Sequence, residues 1–435
     1  MSFDRSPSHL PVFSADTLRL DTVFSTIPSA SFRLMVHNRH RQRLQVDVDA
    51  SLLLQHGFSV LADGKDLSAV PLARLTVEGK DSLILFISLT APLQHADTPV
   101  PLEVPLRFVC NGTSLEVPVT ADVQDVRLVE EAYLASACWS GVKPYLLTSS
   151  LTVEDLVVEE GVTVYLHQGV DLRVTHSLRM EGTPEHPVRV CGDRPNRAYR
   201  RYPGQWGSLL LDGDGTSYEL AYTEIRNGTN GVLVDVPQGN SQPSLKLSSC
   251  RILNMSDAGI LNRSARLDAD NVLIANCGYY TLACTGGSCC LRHCTLANNY
   301  SRYMIRHGFP AVWLQSAGPA SATVRYGFYN TLIYGTLSEE IGWDDALGLQ
   351  EILFDHCLVR TVRDIREDAR FVHAVKTGTS PFVRASDEDF TLSAQSAARD
   401  MAAAETALAL PLDLAGHDRL SDGAPDAGAY EYQGL

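Results

Sequence analysis

The sequence predicts an all-β protein, an Ig-like β-sandwich followed by a right-handed parallel β-helix. In the first part of the chain, apolar and polar residues alternate between turn dipeptides such as Asp63-Gly64 and Asn111-Gly112, a pattern typical of sandwich strands. In the later part, a short aliphatic run precedes an asparagine at a 22-residue interval. A fixed period of about 20 residues or more is typical of stacked repeat folds.

Composition excludes several classes of protein. The chain has 435 residues, 45% hydrophobic and 20% charged, which is enough for two or three domains with real cores. A formal charge of -15 repels polyanions, so we expect neither nucleic acid nor an anionic membrane surface as a partner. No apolar run is long enough for a membrane-spanning helix, and the N-terminus lacks the apolar centre of a signal peptide. The protein is therefore either cytosolic or has lost an export signal.

The pattern of strands and turns predicts five segments. These are a disordered N-terminus at residues 1–7, the sandwich at 8–124, a linker and N-terminal cap at 125–142, the β-helix at 143–380, and a terminal coil with a C-terminal cap at 381–435. Residues 393–410 look helical, and we expect them to lie along the last coil and shield its open end from pairing with other chains.

The 22-residue repeat predicts two features of the coils. Asn254, Asn276 and Asn298 each follow an aliphatic run, and an asparagine tolerates the left-handed φ of a sharp corner while its amide bonds to the asparagine of the next coil. Aligning the repeats on these residues places Cys250 and Cys294 at one level. We therefore expect an asparagine ladder and an inward column of buried thiols.

The cysteines near residue 290 invite comparison with a zinc site. Residues 284–294 read CTGGSCCLRHC, but they contain no C-x-x-C pair, and the adjacent Cys289 and Cys290 must point to opposite faces of a strand. We therefore interpret them as buried thiols that act as small hydrophobic groups, and predict no metal site. Ten cysteines in a chain of this length also fall below the density of a disulfide scaffold.

Several stretches together resemble a known family of architectures. They include FSADTLRLDTVFSTI, KDSLILFISL, KPYLLTSSLTVEDLVVEEGVTVYLHQGVDLRV, GTPEHPVRVCGDR, YPGQWGSLLL and the ending DLAGHDRLSDGAPDAGAYEY. The chain resembles large surface lipoproteins of Bacteroidetes-type bacteria, with an N-terminal Ig-like domain and a right-handed parallel β-helix of the pectate-lyase-like superfold. The resemblance implies a lipoprotein signal removed just before Met1, export, and a lipid anchor at the outer membrane or cell surface. It implies no activity, because such proteins are largely uncharacterised.

The first candidate binding segment is the basic, aromatic loop at residues 193–207. Arginine with tyrosine and tryptophan can clamp sugars by stacking on their faces and by forked hydrogen bonds to carboxylate or sulfate. The alternative is that the loop packs across the domain junction. The candidate ligand-binding residues are Arg197, Tyr199, Arg200, Arg201, Tyr202 and Trp206.

The second candidate segment is residues 342–368, which is rich in aspartate and arginine. Polysaccharide lyases of this superfold typically use Ca²⁺ held by carboxylates together with a basic residue, whereas glycosidases use a pair of carboxyl groups. His356 before Cys357 repeats His293 before Cys294, which predicts two outward histidines on successive coils. The alternative is an ordinary solvated face. The weak catalytic candidates are Asp344, Asp345, Asp355, His356 and Arg363.

Three functions remain open from the sequence. The first is a noncatalytic, monomeric surface protein that binds a glycan or an outer-membrane protein partner on the β-helix flank, without a cofactor. The second is a polysaccharide-cleaving enzyme, either a Ca²⁺-dependent lyase or an Asp-pair hydrolase. The third is a structural spacer. The first is favoured because the sequence shows no recognisable set of catalytic residues.

Overall fold

The computed structural model describes residues 2–195, 199–214, 217–236, 243–299, 303, 305–315 and 323–434. The chain divides into two compact units, one made of residues up to Arg127 with Arg194–Tyr199 and the other of the remaining residues. The regular secondary structure of both units is almost entirely β-strand. Among the described residues, no helix has the length and apolar character needed to span a membrane.

In the first unit, two five-stranded sheets share one hydrophobic core. The sheet orders are β1-β3-β8-β5-β6 and β2-β10-β9-β4-β7. Buried and more exposed residues alternate along the strands, as the sequence pattern predicts. The elements are β1 Val12–Phe13, β2 Leu18–Phe24, β3 Phe32–His37, β4 Leu44–Asp49, α1 Ser51–Gln55, β5 Phe58–Ala62, β6 Lys65–Asp66, β7 Leu72–Val77, β8 Ser82–Leu89, β9 Val100–Cys110 and β10 Thr113–Gln124.

The N-terminal residues that the sequence predicts to be disordered are attached to this unit. Phe3 forms a β-bridge with Arg43, whose guanidinium lies 4.6 Å from the centre of the Phe3 ring. Asp4 is buried and accepts hydrogen bonds from the Ser6 backbone and the His9 ring. The prediction for residues 1–7 was therefore wrong from residue 3 onward, because these contacts offset the entropy of ordering the segment.

The second unit contains an 11-stranded and a 16-stranded sheet. Strand pairing along these two sheets is parallel, as expected of a β-helix, whereas a separate two-stranded sheet near the C-terminus is antiparallel. The strands are β11 Arg127–Val129, β12 Tyr133–Trp139, β13 Tyr145–Leu147, β14 Leu151–Glu159, β15 Thr163–Leu166, β16 Leu172–Glu181, β17 Val188–Gly192, β18 Trp206–Leu211, β19 Ser217–Ala221, β20 Thr223–Arg226, β21 Gly228–Val234, β22 Ser244–Ser248, β23 Arg251–Met255, β24 Ile260–Asn262, β25 Arg266–Asp270, β26 Leu273–Cys277, β27 Leu282–Cys284, β28 Ser288–Arg292, β29 Thr295–Asn298, β30 Val312–Leu314, β31 Tyr326–Tyr329, β32 Leu332–Gly335, β33 Ile341–Trp343, β34 Ile352–Asp355, β35 Leu358–Val359, β36 Phe371–Val372, β37 Val375–Lys376, β38 Phe382–Arg384 and β39 Asp389–Leu392; a 3₁₀ turn (Ala385–Asp387) and α2 (Ala404–Ala409) complete the list.

The 22-residue period corresponds to one coil. Ile252 pairs with Ile274, and Ile274 pairs with Leu296, on β23, β26 and β29. All three side chains are fully buried, and each such burial stabilises the fold by about 1.5 to 3 kcal/mol. The repeated aliphatic run therefore becomes a column of the core.

The coils begin earlier than expected. Strands β11 and β12 lie inside the segment predicted to be a linker and N-terminal cap at residues 125–142, and they belong to the two large sheets, with β12 paired in parallel with β14. The last strand of the 11-stranded sheet, β37, ends at Lys376, close to the predicted end at residue 380. The linker prediction was wrong because the side chains of this coil alternate less clearly.

The C-terminal segment packs along the side of the coils. The outer surface of the 11-stranded sheet presents Leu253, Leu273 and Leu358, and these pack in one cluster with Phe390 and Tyr430. The expected cap over an open end is thus a cover on the flank, because the apolar outer residues of this sheet must be buried. Within the region predicted to be helical, only residues 404–409 form a helix.

Two columns of left-handed residues form the corners of the coils. One precedes the strands of the 11-stranded sheet and contains Ser249, Asn271, His293, Asn330, His356 and His373, with φ between 48° and 54°. The other follows these strands and contains Asn227, Asn254 and Asn276, with φ between 57° and 68°. Asparagine and histidine adopt this conformation more readily than most residues.

Candidate functional site

An aromatic cluster lies at the second corner, formed by Tyr279, Tyr280, His307 and Phe309. The Tyr279 ring stacks on His307 with centroids 4.4 Å apart and packs against Phe309 at 5.2 Å. Tyr280 lies 5.4 Å from Phe309. Phe309 is 41% exposed, His307 is exposed, and the two tyrosines are half-buried. The rings support one another and remain accessible to a ligand.

The two tyrosines lie in the turn between β26 and β27. The next coil, which contains β29, fixes their position. The Asn298 side chain accepts a hydrogen bond from the Cys277 backbone at 2.8 Å and donates one to the Tyr279 carbonyl at 3.0 Å. A side chain at Gly278 would place its Cβ 2.1 Å from the Ser256 carbonyl oxygen, so only glycine fits. Packing against the adjacent coils therefore fixes this turn.

A buried ion pair positions the other two rings. Arg306, at 3% exposure, binds both carboxylate oxygens of the fully buried Glu340 at 2.6 Å. The same guanidinium donates to the Phe309 carbonyl at 2.7 Å, and the carboxylate accepts hydrogen bonds from the Ala311 and Leu337 backbones. A bidentate pair with these further partners fixes the segment that carries His307 and Phe309.

Asp257 supplies a carboxyl group beside the rings. Its carbonyl accepts a hydrogen bond from the Tyr279 backbone at 2.9 Å. Burial raises the pKa of Asp257, and the charges of His307 and Arg263 partly offset this rise. Burial and the charge of Asp257 also raise the pKa of Tyr280. The site therefore combines aromatic surface with a carboxyl group and phenol hydroxyls that can bond to a polar ligand.

The predicted ligand-binding loop divides into different environments. The Trp206 side chain is fully buried in the core and donates to the Arg226 carbonyl at 2.8 Å, so its assignment as a sugar platform was wrong. Arg201 donates to the Ser386 and Asp387 carbonyls, which ties the loop to the C-terminal segment.

The remaining loop residues are more accessible. Tyr199 is 38% and Tyr202 is 43% exposed, Arg200 is exposed, and Arg197 lies outside the described residues. The Tyr202 ring meets the Tyr303 ring edge-on at 5.0 Å.

The asparagine ladder is partial. Asn254 and Asn276 have left-handed φ, and the side-chain Nδ2 atom of Asn276 donates to the side-chain Oδ1 atom of Asn254 at 3.4 Å. Asn298 is not among the residues with positive φ, and its side chain bonds to the turn at Tyr279 instead. The Asn254 amide donates to Glu388 at 2.9 Å. The third asparagine thus serves the aromatic cluster rather than the ladder.

The inward column of thiols is buried. Cys250 and Cys294 are at most 1% exposed, and Cys357 occupies the same position on a later coil. Each Sγ atom lies 3.3 to 3.4 Å from the carbonyl oxygen two residues earlier. Burial raises the pKa of both Cys250 and Cys294 to about 12, so these thiols stay protonated. All ten cysteines are free, with Cys138 exposed.

The catalytic candidates lie in two separate places. The Asp344 carboxylate accepts a hydrogen bond from the Ala346 backbone, next to β33. The Arg363 guanidinium stacks 4.0 Å from the centre of a Trp343 ring and lies 3.7 Å from Glu339.

Asp355 and His356 lie at the end of β34. In the strand order of the 16-stranded sheet, β33 is at one end and β34 is near the other end. The His356 Nδ1 atom lies 2.8 Å from the Asp355 carboxylate. The structure thus separates Asp355 from Asp344, so these candidates do not form one site. The exposed Asp345 lies in the same turn as Asp344.

The two predicted outward histidines have different environments and are not on successive coils, because Asn330 occupies the corner between them. His293 is fully buried, and its Nε2 atom lies 2.8 Å from the Asn330 amide. His356 remains partly exposed. The prediction of two solvent-facing histidines was therefore wrong for His293, because the C-terminal segment packs over its coil, where Gly428 donates to the Asn330 carbonyl.

A groove of about 680 Å³ lies on the first unit, on the outer face of the sheet that contains β4, β7, β9 and β10. Four of its five charged side chains form ion pairs, Arg74 with Asp47 at 2.7 Å and Arg107 with Glu116 at 2.9 Å, and the fifth, Asp49, accepts a hydrogen bond from the Ser51 backbone. The groove therefore offers fewer groups for a polar ligand than the aromatic cluster does.

Sequence reasoning missed the aromatic cluster, the Arg306–Glu340 pair and His373. The pair Tyr279-Tyr280 directly after the Asn276 repeat was a visible signal, because the repeat places it at a corner. No local pattern links it with His307 or Phe309, which lie in the longer connection between β29 and β30.

Comparison with known proteins shows no family. No family model matches the chain, and no curated protein matches it. One similar solved structure is a protein of unknown function from Porphyromonas gingivalis W83, with 16% sequence identity and a TM-score of 0.20. The match covers 30% of this chain and 59% of the Porphyromonas chain.

Proposed function

We propose that the protein is a noncatalytic glycan-binding protein and that the aromatic cluster is its binding site. The observation that carries this proposal is the accessible stack of Tyr279, His307 and Phe309 beside the Asp257 carboxyl group. Sugars offer apolar C–H faces for such rings and hydroxyl groups for a carboxylate, and ligand sites typically combine aromatic surface with a few polar groups.

The rigidity of the site supports binding. Both halves of the aromatic cluster are fixed before a ligand arrives, one by Asn298 and the other by the Arg306–Glu340 pair. A site that is already ordered loses little conformational entropy on binding.

The wider setting belongs to the same proposal. We assign the first unit to the Ig-like sandwiches and the second to the right-handed parallel β-helices. The protein would be exported, lipid-anchored at the outer membrane or cell surface, and monomeric. The resemblance of the sequence to surface lipoproteins supports this setting, and fractionation of cells that express the full gene tests it.

The test is affinity electrophoresis on a panel of neutral and uronate-containing polysaccharides. Phe309→Ala removes a ring that is 41% exposed, and the matched control is Phe86→Ala, whose ring is also 41% exposed but lies in the first unit. Truncating a central binding residue typically costs about 2 kcal/mol or more, which is roughly thirtyfold in affinity. We expect this loss for Phe309→Ala and Tyr279→Ala and unchanged binding for the control.

Two outcomes would overturn the proposal. One is a wild-type protein that binds no polysaccharide of the panel, and the other is equal binding by wild type and Phe309→Ala. The same mixtures are analysed for cleavage products with Ca²⁺ and with chelator. Products that depend on Ca²⁺ would replace the proposal with a lyase.

A further inference from the structure

We propose that Asp355, His356 and His373 form a binding site for a divalent transition-metal ion of the zinc class. The site lies at the first column of corners, on the last coils of the second unit, and it is separate from the aromatic cluster. His373 occupies on its coil the corner position that His356 occupies on the preceding one, since Asp355 pairs with Val372. Both histidines have left-handed φ, 50° and 49°.

The donor atoms are already close to the spacing that a metal ion requires. The Asp355 Oδ1 atom lies 2.8 Å from the His356 Nδ1 atom and 3.6 Å from the His373 Nδ1 atom. One ligand atom from each of the three residues lies within 4.8 Å of the others. A tetrahedral zinc ion with bonds of about 2.1 Å separates its ligands by roughly 3.4 Å.

The surroundings leave the carboxylate available. Among the described residues, the ion-pair partners of Asp355 are His356 and His373, so no lysine or arginine neutralises it. The two imidazole rings lie with centroids 4.4 Å apart and their planes tilted by 42°. The His373 side chain is 69% exposed, which leaves open positions on a bound ion for water or for a polar group of a ligand.

The chemistry of the donors selects the class of ion. Imidazole nitrogen suits zinc, copper, nickel and iron, whereas calcium and magnesium prefer oxygen ligands. The set of two imidazoles and one carboxylate therefore favours a transition metal over the Ca²⁺ considered from the sequence.

The corners also show why these histidines are not simply structural. Asn330, on the coil before His356, bonds to the Ala403 backbone through the nitrogen and the oxygen of its side-chain amide, and His293, one coil earlier still, is fully buried and bonds to Asn330. The Asn330 side chain therefore holds the C-terminal segment. Within the part of the chain that the structure describes, the side chains of His356 and His373 pair with Asp355 rather than with the C-terminal segment.

The experiment measures Zn²⁺ and Co²⁺ binding by metal-free full-length protein. Equilibrium dialysis gives the number of ions, and the visible absorption of Co²⁺ reports the ligand geometry. All proteins carry Cys138→Ser, because this exposed thiol is itself a zinc ligand. The test variants are Asp355→Asn, which removes the negative charge, and His356→Asn and His373→Asn, since asparagine keeps at these two positions the left-handed corner that it already forms at position 330.

The matched control is His176→Asn. His176 forms an exposed pair with Asp155 at 2.7 Å, without a second histidine within reach in the described part of the chain. We expect one tightly bound ion in the parent protein and in the control, and an affinity at least tenfold to a hundredfold lower in each test variant. Circular dichroism confirms that the variants are folded. Equal binding by the parent and any folded test variant, or no binding by the parent, would overturn the proposal.

Discussion

The buried Arg306–Glu340 pair makes a quantitative prediction about the segment that carries His307 and Phe309. Glu340→Gln leaves the Arg306 charge without its counterion in a place where Arg306 is 3% exposed. Removing one partner of a buried pair costs about 3 to 5 kcal/mol, and in addition two of the four hydrogen bonds to this carboxylate are lost, because each carboxylate oxygen accepts two of them and the amide nitrogen of glutamine accepts none. We expect local opening of the segment to become easier by about 3 kcal/mol, which is on the order of a hundredfold.

Hydrogen exchange measured by mass spectrometry on peptides from residues 305–315 detects this change, because the Ala311 amide donates to Glu340. The neighbouring Glu339→Gln is the control. Glu339 pairs with Arg363 at 3.7 Å near the surface, where such pairs contribute about 1 kcal/mol or less.

A double-mutant cycle with Arg306→Met separates the pair from its surroundings. The two changes should be non-additive, with a coupling energy of about 2 kcal/mol. Unchanged exchange in Glu340→Gln, or additive effects of the two changes, would refute the assignment of the pair as the anchor.

Three further predictions concern the second unit. Burial holds the pKa of His293 well below its ordinary value, so the folded protein keeps it neutral while the unfolded chain is protonated below pH about 6.5. Stability should therefore fall by up to about 1.4 kcal/mol per pH unit below that value, and melting temperatures between pH 7 and 5 should fall less in His293→Asn. Trp206→Phe removes a buried hydrogen bond and should lower the free energy of unfolding in urea by about 1 to 3 kcal/mol; weaker polysaccharide binding would contradict the core position of this ring. Iodoacetamide labelling followed by peptide mass spectrometry should modify Cys138 in the folded protein and reach Cys250 and Cys294 only after unfolding, and a cross-link between the last two would contradict their description as free thiols.

Much of the fold was predictable because it is periodic. Each coil buries the same positions, so that Ile252, Ile274 and Leu296 recur at the interval that their stacking requires. The predicted start of the coils was too late because the first strands alternate weakly. The C-terminal cover was placed at the end of the coils, since the sequence does not show which apolar surface a terminal segment will bury.

The candidate sites were predicted only in part. Asp355 and His356 are adjacent in sequence and were recognised as candidates, but His373 joins them only because the next coil brings it into register. Trp206 was misassigned because its neighbours are basic and aromatic, although its own side chain points into the core.

By itself, the sequence determined the all-β class, the 22-residue coil and the columns of buried side chains, since each depends on residues at a fixed spacing along the chain. Only the tertiary structure decided which polar and aromatic groups meet. Tyr279 reaches Phe309 through a connection outside the repeat, and Arg306, in the same connection, reaches Glu340 in the shorter connection between β32 and β33 on the next coil. A period specifies stacking between equivalent positions, whereas these contacts join non-equivalent positions and therefore leave no periodic trace in the sequence.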